Sequence, residues 1–135
     1  MKFIHITDVH LVGDNGGLNG TVPSMRLDAC LTDVVQWHSD ASFCVISGDL
    51  AEFAEPKAYQ ALKMRLRSFP LPCFLMIGNH DNRAVFQKVF PEHPKDSNCY
   101  VQHRFEKNNC VFLFLDTKKE GHGVHEGQLC GDRLD

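Results

Sequence analysis

The stretch FLMIGNHDNR, Phe74 to Arg83, passes from four apolar residues directly into Gly, Asn, His and Asp. A turn calls for Gly78 and Asn79, but it has no need of His80 and Asp81. The apolar run reads as a short buried strand, and residues just past the carboxyl end of such a strand are where open α/β sheets hold their ligands. The same transition occurs twice more. KFIHITDVH, Lys2 to His10, runs from Phe3, Ile4 and Ile6 into Asp8 and His10. FCVISGDL, Phe43 to Leu50, runs into Ser47, Gly48 and Asp49.

Helices are expected between these strands. From Ser24 to His38, residues Leu27, Leu31, Val34, Val35 and His38 recur at one-face helical spacing. A second helix opens at Pro56, tolerated in a first turn, with Tyr59, Leu62, Leu66 and Phe69 behind it. The order β-α-β-α-β implies parallel strands joined by right-handed crossovers, so all three carboxyl ends share one rim. Further on, Arg83 to Phe90 reads as a short helix and Pro91 to Asn98 as a loop. Cys99 to Phe105 and Cys110 to Asp116 read as a hairpin across Lys107, Asn108 and Asn109. The unbroken apolar VFLFL predicts that this hairpin continues the sheet with its second strand central.

The shared rim gathers Asp8, His10, Asp49, Asn79 and His80. Singly, each suits a helix cap, a turn or a satisfied polar position. Together, carboxylates, imidazole and an amide oxygen form a mixed N/O set suited to iron, manganese or zinc. One carboxylate can bridge two such ions about 3.5–4 Å apart, the spacing used in phosphoester hydrolysis. Two dications so placed repel by roughly 18 kcal/mol at an effective dielectric of about 20, which an anionic diester helps to offset.

The blocks D-V-H at Asp8 to His10, G-D-L at Gly48 to Leu50 and G-N-H-D at Gly78 to Asp81 resemble those of the calcineurin-like metallophosphoesterases. With SGDL, IGNHDNR and FLFLDT around them, they are most similar to bacterial class III cyclic nucleotide phosphodiesterases and the related glycerophosphodiester phosphodiesterases. The resemblance implies a metallophosphoesterase-type β-sandwich flanked by helices, here its N-terminal β-α-β-α-β half plus a hairpin. It implies two transition metal ions, divalent or trivalent: Asp8 and His10 ligate the first, Asp49 bridges, and Asn79 ligates the second. His80 would act on the phosphate as the catalytic imidazole, with Asp81 behind it, orienting its ring. The implied substrate is a small phosphodiester, such as a cyclic nucleotide of the 3',5'-cAMP type, attacked by metal-bound hydroxide.

Where the chain departs from the family, expectations change. Related enzymes complete the site with a His-His segment and a G-H-x-H block, and neither occurs in this sequence. GHGVH, Gly121 to His125, has its histidines three apart and reads as a solvated Gly-rich loop, so His122 and His125 are not expected to touch metal or substrate. GQLCGDRLD, Gly127 to Asp135, reads as the first turn of a further helix. Residues 1–135 are therefore expected to form one metallophosphoesterase domain truncated at its C-terminus. The alternative reading is a metal- or phosphate-binding remnant without catalytic competence.

Composition narrows the partners. The 135 residues carry a net charge of −3 without a basic run, which argues against a nucleic acid polymer as partner. The first strand begins too early for a signal peptide and no apolar run is of membrane-spanning length, so a cytoplasmic protein is expected, with room for a homo-oligomer. The six cysteines lack a C-x-x-C pair. Cys44, Cys73 and Cys110, in apolar runs, are expected to be small core residues with free thiols. His93 and His103 read as a loop residue and a strand-face residue without a role.

Overall fold

A computed structural model describes residues 1–119, 125–129 and 131–133. Three strands, β1 (Ile4–Thr7), β2 (Cys44–Ser47) and β3 (Cys73–Met76), form a parallel sheet in that order, with Ile4 paired to Cys44 and Cys44 to Cys73. Helices α1 (Pro23–Trp37) and α2 (Pro56–Arg67) are the crossovers, each with proline in its first turn. A third helix, α3 (Arg83–Val89), is capped by Asn82, whose Oδ1 accepts from the Val85 N–H at 3.0 Å. The expected β-α-β-α-β half of a metallophosphoesterase fold is therefore present.

The apolar stripe of α1 is narrower than its spacing suggests. Leu27, Leu31 and Val34 are buried, whereas Val35 is 45% exposed, lying about 80° around the helix from Leu27. His38 has left helical geometry and only ends the helix.

Two cores flank the sheet. On the helix side, Cys44, Ile46 and Leu75 pack with Leu27, Leu31, Tyr59, Leu62 and Phe86. On the other side, Phe43 and Val45 pack with Phe114, Phe74, Phe105 and Phe112. Burial on both faces explains why β2 reads as an unbroken apolar run. The second core also corrects the expectation for the hairpin. Among the described residues, strands β4 (His103–Lys107) and β5 (Cys110–Phe114) pair only with each other, as a separate two-stranded sheet lying over the first. Phe105, Phe112 and Phe114 share its inner face, with Phe112 5.0 Å from Phe43 and Phe114 stacked 5.0 Å from Phe74, centroid to centroid. Val111 and Leu113 alternate outward, 52% and 62% exposed, so β5 is not a central strand. Asn108 and Asn109 both adopt positive φ, as a tight two-residue hairpin turn of the mirror-image type needs.

Cys44 is buried and Cys73 half-buried, but Cys110 is exposed on the hairpin rather than in a core, and the five described cysteines are free thiols. Among the described residues no helix is long and apolar enough to cross a membrane.

Candidate metal centre

The ends of β1 and β2 remain tied together beyond the sheet. His10 N–H donates to the Asp49 carbonyl at 2.8 Å, Leu11 N–H to Leu50 at 3.0 Å and Glu52 N–H to Leu11 at 3.0 Å. Holding these loops side by side forces unusual backbone conformations. Asp8, His10 and Asp49 have φ of 55°, 44° and 42°. Such left-handed residues cost roughly 1–3 kcal/mol each and gather where a site over-determines them. Gly78 is required for a different reason. A Cβ there would strike the Asp49 backbone nitrogen and carboxylate, and would lie 2.9 Å from Gly48 Cα.

This packing brings His10 to the centre. Its Nε2 lies 3.9 Å from Asp8 Oδ1 and 3.8 Å from Asp49 Oδ2, while its Nδ1 sits 2.6 Å from Glu52 Oε2. The Glu52 carboxylate fixes the tautomer: Nδ1–H donates to it, and Nε2 keeps its lone pair toward Asp8 and Asp49. Metal bonds of about 2.0–2.2 Å to carboxylate oxygen and imidazole nitrogen fit between atoms so spaced. The donor set therefore fits a divalent ion of the zinc, manganese or iron type. Donor atoms of His10, Asp49 and His80 also come within 4.8 Å of one another.

His80 is held at both ends. Its backbone N–H donates to Asp49 Oδ1 at 2.9 Å, and its Nδ1–H donates to the Glu52 carbonyl at 3.1 Å. Nε2 is left for the site. Glu52, absent from the sequence reading, thus serves both imidazoles, approaching His80 Nδ1 with Oε2 at 3.5 Å as well. An acidic residue three places after Asp49 was the available signal, but nothing in the spacing singles it out from Glu55.

Asp81 does not orient His80, contrary to expectation. It is 2% exposed, and its carboxylate binds two loops together. Oδ2 accepts from the N–H groups of Leu50 and Gly78, and Oδ1 from the Ala51 N–H and the Tyr59 hydroxyl, all at 2.8–3.0 Å. Burial pushes the Asp81 carboxyl above the usual carboxylate range, against the pull of these hydrogen bonds. Burial, with Asp81 beside it, also pushes the Tyr59 hydroxyl far up, so it stays a donor.

His125 is exposed and outside regular secondary structure, as read for that loop. His125 Nδ1 lies 2.9 Å from Asn79 Nδ2, and its ring centroid is 6.4 Å from that of His80. His122 lies outside the described residues. His93 is a loop residue and His103 a strand residue, as read, but neither is an ordinary surface imidazole: their rings meet edge to face at 5.5 Å.

Two clefts border the centre. One of about 450 Å³ is lined by Asp8, His10, Asn19, Thr21 and Arg26. The other, about 350 Å³, is lined by Asp8, Ser47, Asn79, Lys118 and His125. Asp8, its side chain 62% exposed, stands between them.

Residues 1–134 match the family described as calcineurin-like phosphoesterase. The chain belongs to that family. Among the similar relatives of this phosphoesterase chain is a probable cyclic nucleotide phosphodiesterase of Rhodopseudomonas palustris, 38% identical over 134 residues, which are 99% of this chain and 49% of the relative. A cAMP/cGMP dual specificity phosphodiesterase of Mycobacterium tuberculosis is 30% identical over 97% of this chain and 42% of its own length. The glycerophosphodiester phosphodiesterase GpdQ of Enterobacter lignolyticus is 27% identical over 90% of this chain and 45% of its own. The phosphoesterase chain thus spans about half the length of the curated relatives it matches.

Proposed function

We propose that these residues form the first half of a binuclear, metal-dependent phosphodiesterase site acting on cyclic nucleotides or related small phosphodiesters. The observation that carries the reading is His10, locked by Glu52 with Nε2 facing Asp8 and Asp49. The names of the relatives support the substrate class. Asp8 and His10 would hold a first ion, Asp49 would be shared, and Asn79 would hold a second. When bound, such ions polarise a phosphoryl oxygen and lower the pKa of water, giving a nucleophile near neutral pH. The chain's own groups do the rest. Asp49 presents Oδ2 toward His10 while the His80 N–H restrains its Oδ1. His80, anchored through Nδ1, offers Nε2 to the phosphate, where an imidazole can steady charge or protonate the departing alkoxide.

Mn²⁺ titration of three variants tests the assignment. Asp49→Asn should abolish binding at both positions, Asn79→Ala should weaken only the second, and His80→Ala should leave metal content unchanged. Retention of tight binding in Asp49→Asn would sink the shared-ligand reading, and metal loss in His80→Ala would make His80 a ligand instead.

A further inference from the structure

Asn79 is held from outside its own loop. Beyond β5 the chain returns on itself: Lys118 bridges Gly127 in antiparallel register, and the Gln128 N–H donates to the Thr117 carbonyl at 2.7 Å. The base of this return is anchored by Asp116, which is 1% exposed. Its carboxylate accepts from the Lys118 N–H at 3.1 Å, from the Val101 N–H at 2.9 Å and from the Arg83 guanidinium at 2.7 and 2.9 Å. Arg83 opens α3, directly behind the Gly78–Asp81 turn, so the return is fixed to the helix that follows the turn carrying Asn79.

Two groups reach Asn79 from this anchored base. Lys118 Nζ donates to the Asn79 carbonyl at 3.1 Å, fixing the backbone, and His125 Nδ1 meets the side-chain Nδ2 at 2.9 Å. An amide NH2 can only donate, so His125 Nδ1 accepts and the ring carries its hydrogen on Nε2. With the nitrogen end of the amide engaged, the direction of the Oδ1 end is set as well. The same logic holds His10, where a hydrogen bond to the far atom decides which atom faces the metal.

We propose that His125 is a positioning residue for Asn79, accepting from its NH2 and so presenting its amide oxygen to the second metal position. The inference rests on the reading of Asn79 as a ligand. It predicts a second-site role for a histidine whose spacing fits no metal motif. The exposed ring of His125 acts through Asn79, and its removal leaves the buried core untouched.

The test compares the whole chain with His125→Ala, His125→Asn and Asn79→Ala. Asn at position 125 keeps an acceptor atom where Nδ1 stood. The readouts are Mn²⁺ titration and the Asn79 side-chain NH2 resonances of the metal-free protein. His125→Ala should weaken the second ion about 10–100-fold, the usual effect of losing a residue that orients a ligand, and leave the first unchanged. The Asn79 NH2 protons should then exchange faster with water, and His125→Asn should restore both properties. If Asn79→Ala loses the second ion while His125→Ala changes neither readout, the positioning role is overturned. Failure of His125→Asn to rescue would overturn it too, making the ring a ligand or a mere spacer. If Asn79→Ala keeps both ions, the ligand reading falls and the inference with it. Where the second ion binds too weakly to titrate, the metal-free NH2 comparison decides alone.

Discussion

Replacing Asp81 tests the clamp that brings together the loops carrying Asp49 and Asn79. Its four acceptor contacts serve three backbone N–H groups and one hydroxyl, and two of those N–H groups, on Leu50 and Ala51, belong to residues with no exposure. In Asp81→Asn one carboxylate oxygen becomes an NH2. If the NH2 takes the Oδ1 position, the Ala51 N–H and the Tyr59 O–H both face a donor, the Tyr59 oxygen already accepting from the Asn82 N–H at 3.0 Å. One unpaired buried group costs about 1–3 kcal/mol. If the NH2 takes the Oδ2 position, the Leu50 and Gly78 N–H groups are stranded instead, so either orientation leaves two groups unpaired, at about 2–6 kcal/mol. Asp81→Asn should therefore lose about 2–6 kcal/mol, about half the loss of Asp81→Ala. Asp81→Ala strands all three N–H groups and the hydroxyl, for about 4–12 kcal/mol, against a typical total of about 5–15 kcal/mol for a domain. Urea unfolding of the metal-free protein, followed by circular dichroism, reads both values. A loss below about 0.5 kcal/mol for Asn, or equal losses for Asn and Ala, would refute the clamp.

Gly78→Ala should both destabilise the fold, by about 1–3 kcal/mol for an overpacked contact, and weaken metal binding, because its Cβ meets the Asp49 backbone, which cannot swing aside; a variant as stable and metal-competent as the parent would contradict the close approach. A second test uses pH. The His103 ring stacks 4.7 Å from Phe114 with both nitrogens buried and without hydrogen-bond partners among the described residues, and burial, followed by the charge of His93, lowers its pKa from 6.5. Below about pH 6.5 the unfolded chain therefore binds a proton that the folded one resists, so the contribution of neutral His103 is full above that pH and is lost as pH falls toward the lowered value. His103→Phe should shrink the drop in Tm between about pH 8 and pH 5.5, and an unchanged drop would count against a buried neutral ring.

Much of the sheet and its rim was legible because local chemistry and tertiary demand coincide there. Runs such as FLMI and CVI are apolar because both faces of the sheet are covered, and the polar residues behind them mark where the strands end. The hairpin was misread for a related reason. An unbroken VFLFL looks the same whether it lies inside a sheet or alternates between an aromatic core and an exposed face, and only the packing of Phe112 and Phe114 against Phe43 and Phe74 separates the two.

Site residues divide in the same way. Asp8, His10, Asp49, Asn79 and His80 stand out by residue type at strand ends, which the chain's own order determines. Glu52, Asp81 and His125 could be placed only in three dimensions. Their hydrogen bonds reach across 42 residues from Glu52 to His10, 31 from Asp81 to Leu50 and 46 from His125 to Asn79. An acid or imidazole has the same local signature whether it faces water or a distant backbone N–H. The sequence by itself determined the fold class and the donor atoms on offer, because strand, turn and ligand chemistry are local properties. Which loops close over which donors was decided by the tertiary structure, because directional hydrogen bonds exist only once remote segments have been packed within about 3 Å of each other.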